Sequence, residues 1–229
     1  MSREQSKCAT RVAGMGTSPV VLTETVCDDE RKRRSLKEMC DVVEKVVERL
    51  YKEQWELFQK QVSEWPISFQ FYYYLRKLLS SKFHGYQMDG EYNHMTGEFN
   101  QEAWKKEISC GDNILSVRPD FIIHRRSTDL VKDAKTPRNF LWVEIKRHGG
   151  SRLDGDREKL CAVTRKMNED NKGVSGYEIG LSLLLQKRHV QVEWFQSGRK
   201  VKSRLGNVCA SGRRIDWGPE KESKREGEE

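Results

Sequence analysis

Asp120, Glu144 and Lys146 are the residues whose types and spacing could do chemistry together. Asp120 lies inside the run V-R-P-D-F-I-I-H-R-R that begins at Val117. Glu144 and Lys146 end the run N-F-L-W-V-E-I-K that begins at Asn139. Both runs are rich in β-branched and aromatic residues, and a polar, Pro-containing loop from Ser127 to Arg138 separates them, the pattern of two strands joined as a hairpin. Side chains alternate across a strand, so Glu144 and Lys146 face the same side. If the hairpin pairs in register, Asp120 joins them. Two carboxylates and an ammonium converging at a strand end make a divalent-metal site with a charged helper.

An acid two residues before a lysine is weak by itself. The chain has five such triplets: Glu30-Arg31-Lys32, Asp133-Ala134-Lys135, Glu144-Ile145-Lys146, Asp170-Asn171-Lys172 and Glu222-Ser223-Lys224. Four of them fall in expected loops or tails. Only Glu144-Ile145-Lys146 ends an apolar strand, and only it follows a strand bearing the chain's single Pro-Asp, Pro119-Asp120. Context carries the signal, and the bland alternative is a salt-bridge network at a strand end.

Around this hairpin the sequence predicts further elements. Ser35-Leu36-Lys37-Glu38 reads as a capping box opening an amphipathic helix, with Met39, Val42, Val43, Val46, Val47, Leu50 and Phe58 at helical spacing. Ser63-Glu64-Trp65-Pro66 opens a second helix, since Pro is tolerated in a first turn. That helix is apolar on most faces through Leu79, which predicts a central helix with Tyr72, Tyr73 and Tyr74 in the core rather than on a stacking platform. A strand end follows at Asp89 to Asn93, then a polar insertion from Met95 to Cys110 with a little helix at Gln101 to Lys106. After the hairpin come a helix from Arg157 to Asn168 and strands at Tyr177 to Leu185 and Val190 to Phe195. The expected order is α-α-β-β-β-α-β-β.

The 229 residues suit one domain with tails. Residues 1–34 and 205–229 read as flexible, charged ends around a domain at 35–204. Lys plus Arg outnumber Asp plus Glu by 42 to 35, a net charge of +7 that favours polyanionic partners. The six cysteines have no C-x-x-C spacing, so they read as reduced thiols in a cytoplasmic protein. Neither an apolar leader nor a long apolar run is present, so no membrane association is expected. No G-x-x-x-x-G-K-[ST] loop is present, so no built-in nucleotide motor is expected.

The hairpin resembles the PD-(D/E)XK nuclease superfamily, which carries Pro-Asp on one strand and Asp/Glu-x-Lys on the next within an α-β-β-β-α-β core. The likeness extends to Ser63-Glu64 before an aromatic helix, Glu91-Tyr92-Asn93, Arg118-Pro119-Asp120 and the Asp-Arg-x-Lys-Leu stretch from Asp156 to Leu160. It covers about Ser63 to Phe195 and looks like the small, mostly uncharacterised bacterial and viral members. The resemblance implies a restriction-endonuclease-like mixed sheet flanked by helices, and an enzyme that hydrolyses phosphodiester bonds, DNA being the expected substrate. It implies that Asp120, Glu144 and the Ile145 carbonyl hold Mg2+ or Mn2+. Lys146 would assist the attacking water, and Glu64 would complete the metal's shell, with Glu91 a weaker candidate. Without the resemblance, Glu64 reads as an acid favoured by its helix dipole. Arg125, Arg126, Arg147 and Arg152 cluster beside the motif and could contact a nucleic-acid backbone, with solvated charge as the alternative. His124 and His148 flank the motif and read as hydrogen-bonded structural residues. Cutting both strands would favour a homodimer. The competing expectation is a nuclease-like domain that binds nucleic acid or a protein partner without cleaving.

Overall fold

A computed structural model describes residues 20–60, 62–79, 86–90, 107–110, 113–125, 139–147, 151–165 and 176–223, with the side chains of 20–29, 107, 109, 110, 113–116, 151 and 152 left aside. The chain forms two compact units, Met1–Lys37 and Glu38–Glu229.

The helices are α1 (Val20–Glu53), α2 (Trp55–Gln59), α3 (Glu64–Leu79) and α4 (Ser151–Val163). The strands are β1 (Gln87–Gly90), β2 (Glu107–Cys110), β3 (Asn113–Ser116), β4 (Phe121–His124), β5 (Asn139–Lys146), β6 (Ile179–Leu185), β7 (His189–Gln196), β8 (Arg199–Val208), β9 (Ile215–Trp217) and β10 (Lys221–Glu222). One sheet has the order β1-β4-β5-β6-β7-β8-β10, with β9 also on β8; β2 and β3 form a separate two-stranded hairpin. The protein is therefore mixed α/β, with a central, mostly antiparallel sheet and helices on both faces. The β5–β6 pair alone is parallel among the described strands. A parallel pair needs a crossover, and α4 supplies it.

Strand alternation decides which helix covers which face. Phe121 on β4 meets Phe71 of α3 at 5.7 Å between ring centroids. On the same face Arg204 of β8 pairs with Glu44 of α1 at 2.5 Å. Ile122 and Trp142 point the other way, into a core with Leu160 and Val163 of α4. Gly180 on β6 lies opposite Trp142, and a Cβ there would stand 3.1 Å from Leu160 Cδ2, Phe195 Cβ and Thr164 Cγ2. The bare backbone lets α4 sit close to the sheet.

Four expectations need correction. Ser35 is not a helix cap, because α1 already begins at Val20; no Gly or Pro interrupts 20–53, and Glu, Lys and Arg propagate a helix well. The segment 1–34 thus contains helix from Val20 onward. Nor is 205–223 a tail: β8 runs to Val208, and β9 and β10 pair with it. Charged composition concealed these strands, as it commonly does at sheet edges. α4 starts at Ser151 rather than Arg157, carrying Gly155 inside it. Finally, α3 is no central helix: Trp65, Phe69 and Tyr73 are exposed. The expected Gln101–Lys106 helix lies outside the described residues.

Candidate active site

The β4–β5 register pairs Phe121 with Val143. That carries Asp120, one residue earlier, to the level of Glu144, one residue later. Asp120 is tied there because its Oδ2 accepts a hydrogen bond from the Ile145 amide at 2.6 Å. Two residues along β5, Lys146 shares the face of Glu144 and Trp142. Trp142 Nε1 donates to Glu144 Oε1 at 2.8 Å, fixing that carboxyl group against the core.

The Lys146 ammonium stands among oxygens. It lies 3.2 Å from Glu64 Oε1, 3.2 Å from the Ile145 carbonyl and 3.6 Å from Asp156 Oδ2. Glu64 arrives on the first turn of α3, and its other oxygen accepts from the Arg147 amide at 3.3 Å. One glutamate therefore joins the start of α3 to the end of β5.

Asp156 and Lys159 are site residues that the motif alone does not name. Both come from α4, where Lys159 Nζ donates to Asp156 Oδ1 at 2.8 Å. Asp156 Oδ2 is buried and has no hydrogen-bond donor. A signal was present in the sequence: Leu153, Asp156, Leu160 and Val163 share one helical stripe, so an aspartate occupies a core position. Arg157, the next residue, grips the buried Glu193 of β7 through Nε at 2.6 Å and Nη2 at 2.9 Å. This fork anchors α4 over the sheet and holds Asp156 in place.

Burial and crowding raise the carboxyl pKa values. Burial pushes Asp120 up to about 6, with the charges of Glu64 and Asp156 adding to it; the Ile145 amide and Lys146 pull the other way. Glu144 is only 3% exposed. Burial lifts it to about 8, helped by Asp120 and Asp156. Lys146 runs opposite to the usual buried lysine: burial disfavours its charge, but Asp120, Asp156, Glu64 and Glu144 outweigh that and raise its pKa. Lys159 behaves likewise, with Glu144 and Asp156 outweighing burial.

The remaining expected residues divide. Arg147 is buried and its Nη1 donates to the Val62 carbonyl, so it ties β5 to the approach to α3 and is no backbone contact for a nucleic acid. Arg125 stacks its guanidinium on the Tyr86 ring, 4.7 Å from the centroid. His124 Nε2 lies 2.7 Å from Asp89 Oδ2, a pairing within the sheet. Arg126, His148 and Glu91, and the side chain of Arg152, lie outside the described residues.

Among the described residues, no three His, Cys, Asp or Glu side chains form a ready-made metal cage. The donor chemistry still fits a hard cation: the Asp120 and Glu144 carboxylates, the Ile145 carbonyl and an Asp156 oxygen that accepts no hydrogen bond. Mg2+ keeps several waters and needs only one or two protein carboxylates. No family model, curated protein or solved structure matches this chain.

Proposed function

We propose that this chain is a Mg2+- or Mn2+-dependent nuclease of the PD-(D/E)XK kind, hydrolysing phosphodiester bonds, with DNA as the first substrate to test. One observation carries the reading: Asp120, Glu144 and Lys146 converge at one strand end, and Glu64 and Asp156 meet Lys146 from two different helices. With the separate β2–β3 hairpin set apart as an insertion, the order α3-β1-β4-β5-α4-β6, with β5 and β6 parallel, supports an α-β-β-β-α-β core.

Asp120, Glu144 and the Ile145 carbonyl would hold the metal, and Glu64 would complete its shell. Bound there, a divalent ion lowers the pKa of a water and neutralises phosphoryl charge. The chain's own part is positional and electrostatic. Asp120 is oriented by the Ile145 amide, and Glu144 by the Trp142 indole. Lys146, kept charged by its carboxylate neighbours, offers a cation to the negative charge that develops on phosphate oxygens. The homodimer remains part of the proposal for double-strand cleavage.

Glu144 gives the non-cleaving alternative its support, since it is nearly inaccessible and already accepts the Trp142 N–H. Incubating the full chain with linear DNA and Mg2+ or Mn2+, with and without chelator, separates the readings. Metal-dependent product that disappears in Asp120→Ala supports the nuclease. Salt-sensitive DNA binding with no product supports the binding module.

A further inference from the structure

Three of the four exposed large hydrophobic residues in the described part of the chain lie on α3. They are Trp65 at 61%, Phe69 at 50% and Tyr73 at 43% exposure. Their i, i+4, i+8 spacing puts them in one stripe. Trp65 and Phe69 stack on each other, 5.5 Å between centroids and 17° between planes. The Lys77 ammonium sits over the Tyr73 ring at 4.5 Å. Arg76 is exposed on the same helical face. The opposite side of α3 is spent on the core, through Ile67, Phe71, Tyr74, Leu75 and Leu79. Folding therefore does not require the exposed rings to be aromatic.

We propose that this face of α3 is a stacking platform for single-stranded nucleic acid that leads the strand to the candidate active site. Bases stack on Trp65 and Phe69, while Arg76 and Lys77 meet the phosphates. Every base has a π-face, so such a platform binds without reading sequence. Two features favour this occupant. The row of rings runs straight into two exposed cations, Arg76 on the same face and Lys77 beside Tyr73, which suits a strand that offers bases and phosphates together. The stripe also begins at the site's end of α3, because Trp65 is the residue after Glu64, which touches Lys146. From Trp65 to Lys77 the helix spans about 18 Å, enough for several nucleotides. Direction toward the site rests on the nuclease proposal; binding to the platform does not.

The test uses the full chain in chelator and low salt, by fluorescence anisotropy. The probes are a fluorescein-labelled oligothymidylate of about 20 nucleotides and a duplex of the same length. Wild type is expected to bind the single strand more tightly than the duplex. A Trp65→Ala/Phe69→Ala variant should lose about 10-fold or more in single-strand affinity, with duplex binding unchanged. Trp65→Tyr/Phe69→Tyr, which keeps the rings, should retain most of it. Circular dichroism checks that both variants fold, and the tyrosine variant keeps the test open should the alanine variant fail to. No single-strand binding by wild type, equal affinity of the alanine variant, or equal loss in both variants overturns the platform. So does a dimer that the alanine pair converts to monomer, which assigns the face to a second copy. Separately, Mg2+-dependent cleavage of single-stranded DNA that vanishes in Asp120→Ala but ignores the alanine pair sinks the platform's lead to the site alone. Binding that obeys the prediction without any metal-dependent cleavage sinks the nuclease alone.

Discussion

Lys146 is held charged by four carboxylates, two of which, Asp120 and Glu144, have raised pKa values. A carboxyl group that binds its proton more tightly when folded stabilises the protein at low pH. That contribution is fully present below the ordinary carboxyl range and is lost as pH rises through about 6 for Asp120 and about 8 for Glu144. In chelator, thermal and urea denaturation should show stability falling from about pH 5 to about pH 8. Glu144→Gln should flatten the upper part of that fall and be more stable than wild type near pH 8, by an amount on the order of a few kcal/mol. An unchanged slope in the variant would contradict the burial argument. Near pH 8, Mn2+ should raise the melting temperature of wild type by mass action, and Asp120→Ala should abolish the shift. At this scale the sequence was legible where strand context singled out one acid–x–Lys triplet among five. Asp156 stood only within the Asp156–Leu160 stretch of the resemblance, without a role of its own; its place on the Leu153–Leu160 stripe marks it as a buried acid. Arg147 misled because a cation beside a motif looks exposed, yet it is buried and its Nη1 donates to the Val62 carbonyl.

Elements hold these residues in register. The site exists because α4 crosses closely over β5 and β6 and α3 begins beside the end of β5. Gly180 is the contact that permits the first of these. Gly180→Ala would press a methyl against Leu160, Thr164 and the rigid Phe195 Cβ together. A shift to lower urea midpoint worth about 1–3 kcal/mol is expected, with little change in the slope; an unchanged midpoint would show that α4 can move outward at no cost. α3, β5, β6 and β7 were legible from their apolar runs. β8 was not, because R-K-V-K-S-R-L-G-N-V alternates cations with isolated apolar residues. Ser197-Gly198 did announce it: both residues have positive φ, 52° and 80°, as a two-residue hairpin turn requires.

For the whole molecule, the sheet extends beyond the domain boundary that composition suggests. Val208 and Ile215 are buried, and Trp217 Nε1 donates to Glu48 of α1 at 2.9 Å. Ending the chain after Arg204 removes the end of β8 with β9 and β10. Losing the two buried aliphatic side chains alone costs about 3–6 kcal/mol, a large part of the stability of a domain this size. Such a truncation should lose a cooperative melt by circular dichroism; a melt equal to that of the full chain would contradict the place given to these strands. Charge density hid them, because edge strands are protected by the same lysines and arginines that mark an unfolded tail. The β4–β5 pairing was legible, since two apolar runs flank one polar loop.

The most direct measurement is the rate of Mg2+-dependent DNA cleavage by the full chain beside its Lys146→Ala variant. Removing a charged group that stabilises the reacting phosphate should slow product formation by about 100-fold or more, with chelator abolishing the wild-type product. Equal product from wild type and variant, with and without chelator, would contradict the nuclease account.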